Sequence, residues 1–171
     1  MIGQLFFLLL FLIVFTAFWG AFSTSPYVPS WKKDVERMVS LAGVRSSDKV
    51  YDLGCGDGRL VFAAARIGAR ATGIEIFILP YLYARIKSYF KPRTKILFGD
   101  MFNLNVSDAD VVFIFLMSKS YQRIATKLER ELKPGSRVVS SCWPVKGWED
   151  KLQKTDKPDN KTLPLYLYIM K

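Results

Sequence analysis

Ten residues constrain this chain more than any others: Val50-Tyr-Asp-Leu-Gly-Cys-Gly-Asp-Gly-Arg59. The stretch begins as an apolar strand from Lys49 to Leu53 and passes through glycines at 54, 56 and 58. It then opens into an Ala-rich helical run, Arg59–Ile67, closed by Gly68. Closely spaced glycines let a chain turn sharply and let another group approach the backbone. The helix start behind them offers free N–H groups and partial positive charge, which suits a carboxylate or a phosphate. The alternation continues with a strand at Ala71–Ile76, a helix at Leu79–Phe90 ended before Pro92, and a strand at Thr94–Phe98. A continuous apolar strand, Val111–Leu116, follows, then a helix at Tyr121–Leu132 with Glu129 and Lys133 in i,i+4 register, and a strand at Arg137–Ser141. Strand–helix alternation of this kind dictates right-handed βαβ units around a parallel sheet. The last two apolar segments, Trp148–Gln153 and Leu163–Met170, are joined by TDKPDNKT, which leaves no room for a crossover helix. They are expected as an antiparallel hairpin on the sheet edge.

The start of the chain is of another kind. No charged side chain precedes Lys32, and Leu5–Phe22 is apolar apart from Thr16. With Met1–Gln4 this reaches the roughly 20 residues that cross a bilayer as a helix, so one transmembrane helix is expected. Phe18, Trp19 and Phe22 suit the lipid–water interface. A cleaved signal peptide would want a basic start that is missing here. A buried core helix is the third reading. Lys32, Lys33 and Arg37 follow the span, which places the remainder in the cytoplasm. The expectation is a single-pass protein of a bacterial-type plasma membrane, with the mitochondrial inner membrane as the alternative. The division that follows is an anchor over 1–22, a proline-containing linker over 23–30 and the folded domain over 31–171. Ser30 is a candidate cap for a helix from Trp31 to Leu41, on which Val35, Met38, Val39 and Ala42 share a face.

Composition removes several chemistries. There is no histidine, so Ser-His-Asp and Cys-His nucleophiles, His-ligated metals and His bases are excluded. Two cysteines make neither a disulfide scaffold nor a four-cysteine zinc site, and no metal is expected. Cys55 reads as a small filler and Cys142 as a strand-end residue. Lys+Arg exceeds Asp+Glu by 25 to 15, a formal charge of +10. That surplus suits an anionic membrane surface. No dense basic cluster or nucleic-acid motif accompanies it, and no nucleic-acid partner is expected.

The glycine loop sits among acids. Asp52 ends the first strand, Glu75 the second in Gly73-Ile-Glu-Ile, and Asp100 follows the third in Phe98-Gly-Asp-Met. Dinucleotide enzymes want G-x-G-x-x-G and a pyrophosphate. Here Asp57 lies between the last two glycines, awkward for a pyrophosphate and welcome to a cationic ligand. S-adenosylmethionine carries an ammonium, a sulfonium, a carboxylate for the helix start, ribose hydroxyls for Glu75 and an adenine amino group for Asp100.

The motifs DLGCGDGR, GIEI and FGDMF resemble class I S-adenosylmethionine-dependent methyltransferases. Three further stretches resemble the membrane-anchored lysine methyltransferases. They are Pro26-Tyr-Val-Pro29, Glu131-Leu-Lys-Pro-Gly-Ser-Arg-Val-Val-Ser140, and the region of Pro144 and Trp148. Eukaryotic members of that family methylate the ATP synthase c-subunit and the adenine nucleotide translocase in mitochondria. The resemblance implies an α/β, Rossmann-like class I methyltransferase fold, with a mostly parallel seven-strand sheet, a C-terminal antiparallel hairpin and one preceding transmembrane helix. It implies S-adenosyl-L-methionine as cofactor and a flap formed by Tyr27 and Pro29. The cofactor-binding candidates are Asp52, Gly54, Gly56, Asp57, Glu75, Ile76, Asp100, Met101 and Tyr27; no catalytic side chain is singled out. The expected acceptor is a lysine of a membrane protein. A lipid or quinone-like acceptor and a non-catalytic S-adenosylmethionine-binding membrane module are the alternatives.

Overall fold

The computed structural model describes residues 2–23 and 28–171. Helices α1 (Ile2–Ser23) and α2 (Lys32–Leu41) precede β1 (Lys49–Leu53), α3 (Arg59–Arg66), β2 (Arg70–Glu75), α4 (Ile78–Ser88) and β3 (Thr94–Phe98). A short 3-10 turn at Met101–Asn103 leads to β4 (Val111–Ile114), α5 (Ser118–Glu131), β5 (Arg137–Ser141), β6 (Leu152–Asp156) and β7 (Leu165–Ile169). The seven strands form one sheet in the order β3-β2-β1-β4-β5-β7-β6. The first five are parallel, and β7 runs antiparallel between β5 and β6. The fold is therefore Rossmann-like, mostly parallel, with an antiparallel C-terminal hairpin. The order reverses at β1, between β2 and β4, and the crevice outside the strand ends opens there.

Both faces of the sheet are covered, which explains why β4 reads as an unbroken apolar run: all four of its residues are buried. Val111 and Phe113 pack with Met38 of α2 and Val61 of α3 on one face. Val112 and Ile114 pack with Ile124 and Leu128 of α5 on the other. Val35, Met38, Val39 and Ala42 are all buried, so the helical stripe of α2 lies where its spacing put it.

Four expectations are corrected. The first arm of the hairpin is β6, not Trp148–Gln153. Trp148 is fully buried edge-on against Tyr168, with ring centroids 5.3 Å apart, and its indole N–H donates to Glu129 at 2.7 Å. The residue preceding α2 is Trp31, with no side-chain cap from Ser30. Glu129 pairs with Lys151 rather than Lys133, while the i,i+4 bridge on α5 is Lys127–Glu131 at 2.7 Å.

The fourth correction concerns α1. Among the described residues no helix is long and apolar enough to cross a membrane. The expected transmembrane helix, and with it the single-pass location in a plasma or mitochondrial inner membrane and the bilayer contact through residues 1–22, is thereby overturned. At Ile13 and Thr16 the helix also lies against α4 rather than standing apart from the domain. The side chains of Phe18, Trp19 and Phe22 lie outside the described residues.

Candidate active site

The turn from β1 to α3 is closed by its own backbone. Gly54 and Cys55 both donate to the Ile74 carbonyl at 3.0 Å, and Gly58 donates to that of Cys55 at 2.9 Å. Gly58 precedes α3 with φ of 79°, a left-handed conformation that favours glycine, and no side chain caps the helix. The loop presses onto β2 at Gly73. A Cβ there would stand 2.6 Å from Cys55 Sγ and 2.8 Å from Val61 Cγ2. That close approach brings the β2 strand end beside the loop.

One cavity at the strand ends is lined by Asp52, Gly54, Gly56, Asp57, Glu75, Ile76, Asp100 and Met101, eight of the nine residues expected from sequence. Tyr27 lies outside the described residues. The acids do not play equal parts. Asp52 is buried beneath the cavity and, among the described residues, accepts no hydrogen bond. Burial, with Glu75 and Asp57 nearby, pushes its carboxyl up to about 8. Glu75 is already engaged: Oε2 accepts from Gly56 N at 2.7 Å, and Oε1 accepts from Ile76 N and Phe77 N at 2.8 Å. Burial still raises its carboxyl above the usual range, against those three bonds. A carboxylate offers about four lone-pair sites, so room for a ligand hydroxyl remains. Asp100 accepts from Phe102 N at 2.9 Å, capping the 3-10 turn while lining the cavity.

Asp57 behaves otherwise than its position in the loop suggested. Arg59 grips both its oxygens, Nε to Oδ1 at 2.8 Å and Nη2 to Oδ2 at 2.5 Å. Burial raises the Asp57 carboxyl, but the guanidinium outweighs it and holds the group below the usual range. Arg59 Nη1 also donates to the Ser30 carbonyl. It thus ties the segment Val28-Pro29-Ser30, which roofs the cavity, to the start of α3. Sequence reasoning missed Arg59 and its tie to Ser30; of the flap that the resemblance implied, Pro29 lines the cavity. The arginine closes the DLGCGDGR motif, but nothing in its spacing shows which carbonyl it reaches. Phe115 and Leu116, assigned to a strand by their hydrophobicity, instead leave β4 and line the cavity.

Four carboxyl groups and one guanidinium line the cavity, a set that suits a cation better than a pyrophosphate. S-adenosylmethionine fits this donor set. The buried acid lacking a hydrogen bond matches its ammonium, and the loop and uncapped helix start match its carboxylate. A Rossmann-like sheet with such a pocket at its switch point defines an S-adenosylmethionine-dependent methyltransferase of class I.

Residues 52–152 match the family described as ANTKMT methyltransferase domain, and the chain belongs to it. A protein-lysine N-methyltransferase of Saccharolobus islandicus (strain REY15A) is 39% identical over 85% of this chain and 93% of that protein. The lysine N-methyltransferase of Homo sapiens named for the ATP synthase c-subunit is 32% identical over 72% of this chain. The chain spans about half, 54%, of that protein's length. Among solved structures, an RNA methyltransferase from Salinibacter ruber in complex with S-adenosyl-L-homocysteine superposes with a TM-score of 0.78. It is 35% identical, and the match covers 84% of this chain and 94% of that one. The enzyme uses S-adenosyl-L-methionine.

Proposed function

We propose that this methyltransferase acts on the ε-amine of a lysine in a protein. The observation that carries the reading is the 39% identity, over most of both chains, to a protein named as a protein-lysine N-methyltransferase. The human relative supports it and makes the ATP synthase c-subunit, or a protein like it, the first acceptor to try. S-adenosylmethionine supplies an electrophilic methyl on its sulfonium, which the amine lone pair takes as the carbon–sulfur bond breaks and its electrons stay on sulfur.

The chain's own residues hold and orient. In this reading Asp52 faces the ammonium of the cofactor, and the amides of the 54–58 loop face its carboxylate. Glu75 accepts from the ribose with the lone pair its three backbone bonds leave over. Asp100 would accept from the adenine amino group, and Ile76 and Met101 would line the adenine. Positioning of this kind contributes up to about 7–11 kcal/mol to such displacements. Proton removal is left to water. Burial raises the Tyr121 hydroxyl well above its usual range, and that hydroxyl donates to the Ser141 carbonyl at 2.9 Å. Tyr51 is likewise pushed up to about 12 by burial and by Asp108.

RNA is the second reading, favoured by the name of the Salinibacter ruber protein and by the +10 charge. Labelling a cell extract with methyl-tritiated S-adenosylmethionine and fractionating it decides between them. Label in protein, recovered as methyl-lysine after hydrolysis, is the expected result. Label confined to RNA overturns the lysine reading.

A further inference from the structure

A second, smaller cavity of ≈ 40 Å³ continues the cofactor cavity, sharing Val28, Pro29, Ser30 and Phe115 with it. It lies on the side away from Glu75. Phe115 follows β4, Ser141 ends β5, and Leu163 precedes β7. Its walls are apolar except for Ser30, Ser141 and one buried carboxylate, Asp34. Trp31, largely exposed, also lines it.

The carboxylate keeps charge to spare. Asp34 Oδ1 accepts from Arg37 Nη1 at 2.9 Å. The same guanidinium gives Nε and Nη2 to Asp156 Oδ2 at 2.9 and 2.6 Å. One cation thus serves two anions, and Asp34 Oδ2 accepts nothing among the described residues.

We propose that this slot receives the end of the acceptor lysine, an inference that rests on the lysine reading above. The size is right: about 10–15 Å³ admits one water-sized group, so the slot holds roughly three, the last two methylenes and the nitrogen. The chemistry is right as well. Methylene carbons face Val28, Pro29, Phe115 and Leu163, and an N–H of the amine meets Asp34 Oδ2. Asp34 is a substrate-binding residue here, and Leu163 sets the bore. A bulkier side chain finds no room, and one without an N–H or O–H to donate finds no partner.

The test uses the full chain and two variants confined to the slot. Leu163→Trp fills it from a partly exposed position, and Asp34→Asn removes the charge. Calorimetry with S-adenosylhomocysteine should give affinities within about twofold of wild type for both. Saturation-transfer NMR with Nα-acetyl-lysine N-methylamide, in the presence of S-adenosylhomocysteine, should show transfer to the lysine side-chain methylenes in wild type and none in Leu163→Trp. With a protein acceptor, Leu163→Trp should lose more than tenfold in kcat/KM, and Asp34→Asn should raise KM more than it lowers kcat. Wild-type probe binding and turnover in Leu163→Trp, with methyl-lysine still the product, overturns the slot and leaves the lysine reading standing. A wild-type product without methyl-lysine overturns both.

Discussion

Asp52 and Glu75 stand together, both are raised by burial, and their substitutions should move the protein in opposite directions. Asp52 titrates near 8 in the folded chain against about 3.9 unfolded. Between those values the native state holds more protons, so this group lowers stability as pH rises from 4 to 8. Asp52→Asn should therefore raise the Tm by several degrees at pH 8 and little at pH 4, as read by calorimetric scans. A cationic ligand facing Asp52 favours its ionised form and expels the proton. S-adenosylmethionine affinity should thus strengthen from pH 6 to 8, approaching tenfold per pH unit, and then level off. Asp52→Asn should bind more weakly with a flat profile. Glu75→Gln turns an NH2 toward backbone donors that now meet an oxygen. It should lose both cofactor affinity and thermal stability, each by about 1–3 kcal/mol. A Glu75→Gln protein with normal Tm would show that the three backbone bonds do not hold the loop.

The sheet was legible as elements because alternation and glycine placement encode it locally; β1, β3 and β5 begin and end where the sequence reading put them. Edges were less legible. β6 is Leu-Gln-Lys-Thr-Asp, exposed along most of its length, and a polar edge strand leaves no apolar periodicity to read. Trp148 drew the reading upstream because hydrophobicity alone does not tell a strand from a turn that buries one ring. Ion pairs obey the same limit. Glu129 and Lys133 have the right spacing, yet Lys133 turns to Asp110 and Glu129 to Lys151 and Trp148. The bridge that forms is Lys127–Glu131, which also binds the Leu104 carbonyl and Val106 N, fastening α5 to the 104–106 loop. Lys127→Met should cost about 1–3 kcal/mol in urea denaturation, since it strips the Leu104 carbonyl of its donor and leaves Glu131 only the exposed Arg130. On β2, Gly73→Ala should cost about 1–3 kcal/mol, because Cys55 and Val61 must move to admit one methyl group.

At the scale of the molecule, topology did for the site what spacing could not. Three acids at successive strand ends were legible as candidates, and the order β3-β2-β1-β4 explains why they share one cavity. The tie that fastens the roof was not legible, because the bond from Arg59 to Ser30 joins residues whose proximity is a property of the fold alone. A chain with a formal charge of +10 thus keeps a negative hollow at its centre. This bears on how a turnover ends. Spending the methyl turns a sulfonium into a neutral thioether, so the ligand that remains is one positive charge poorer while the carboxylates are unchanged. The hollow should therefore prefer fresh cofactor over spent, and the preference should widen as Asp52 ionises. Competition between S-adenosylmethionine and S-adenosylhomocysteine should show inhibition by the by-product easing as pH climbs from 6 to 9. In Asp52→Asn that trend should be absent, leaving an enzyme that clogs on its own exhaust equally at every pH.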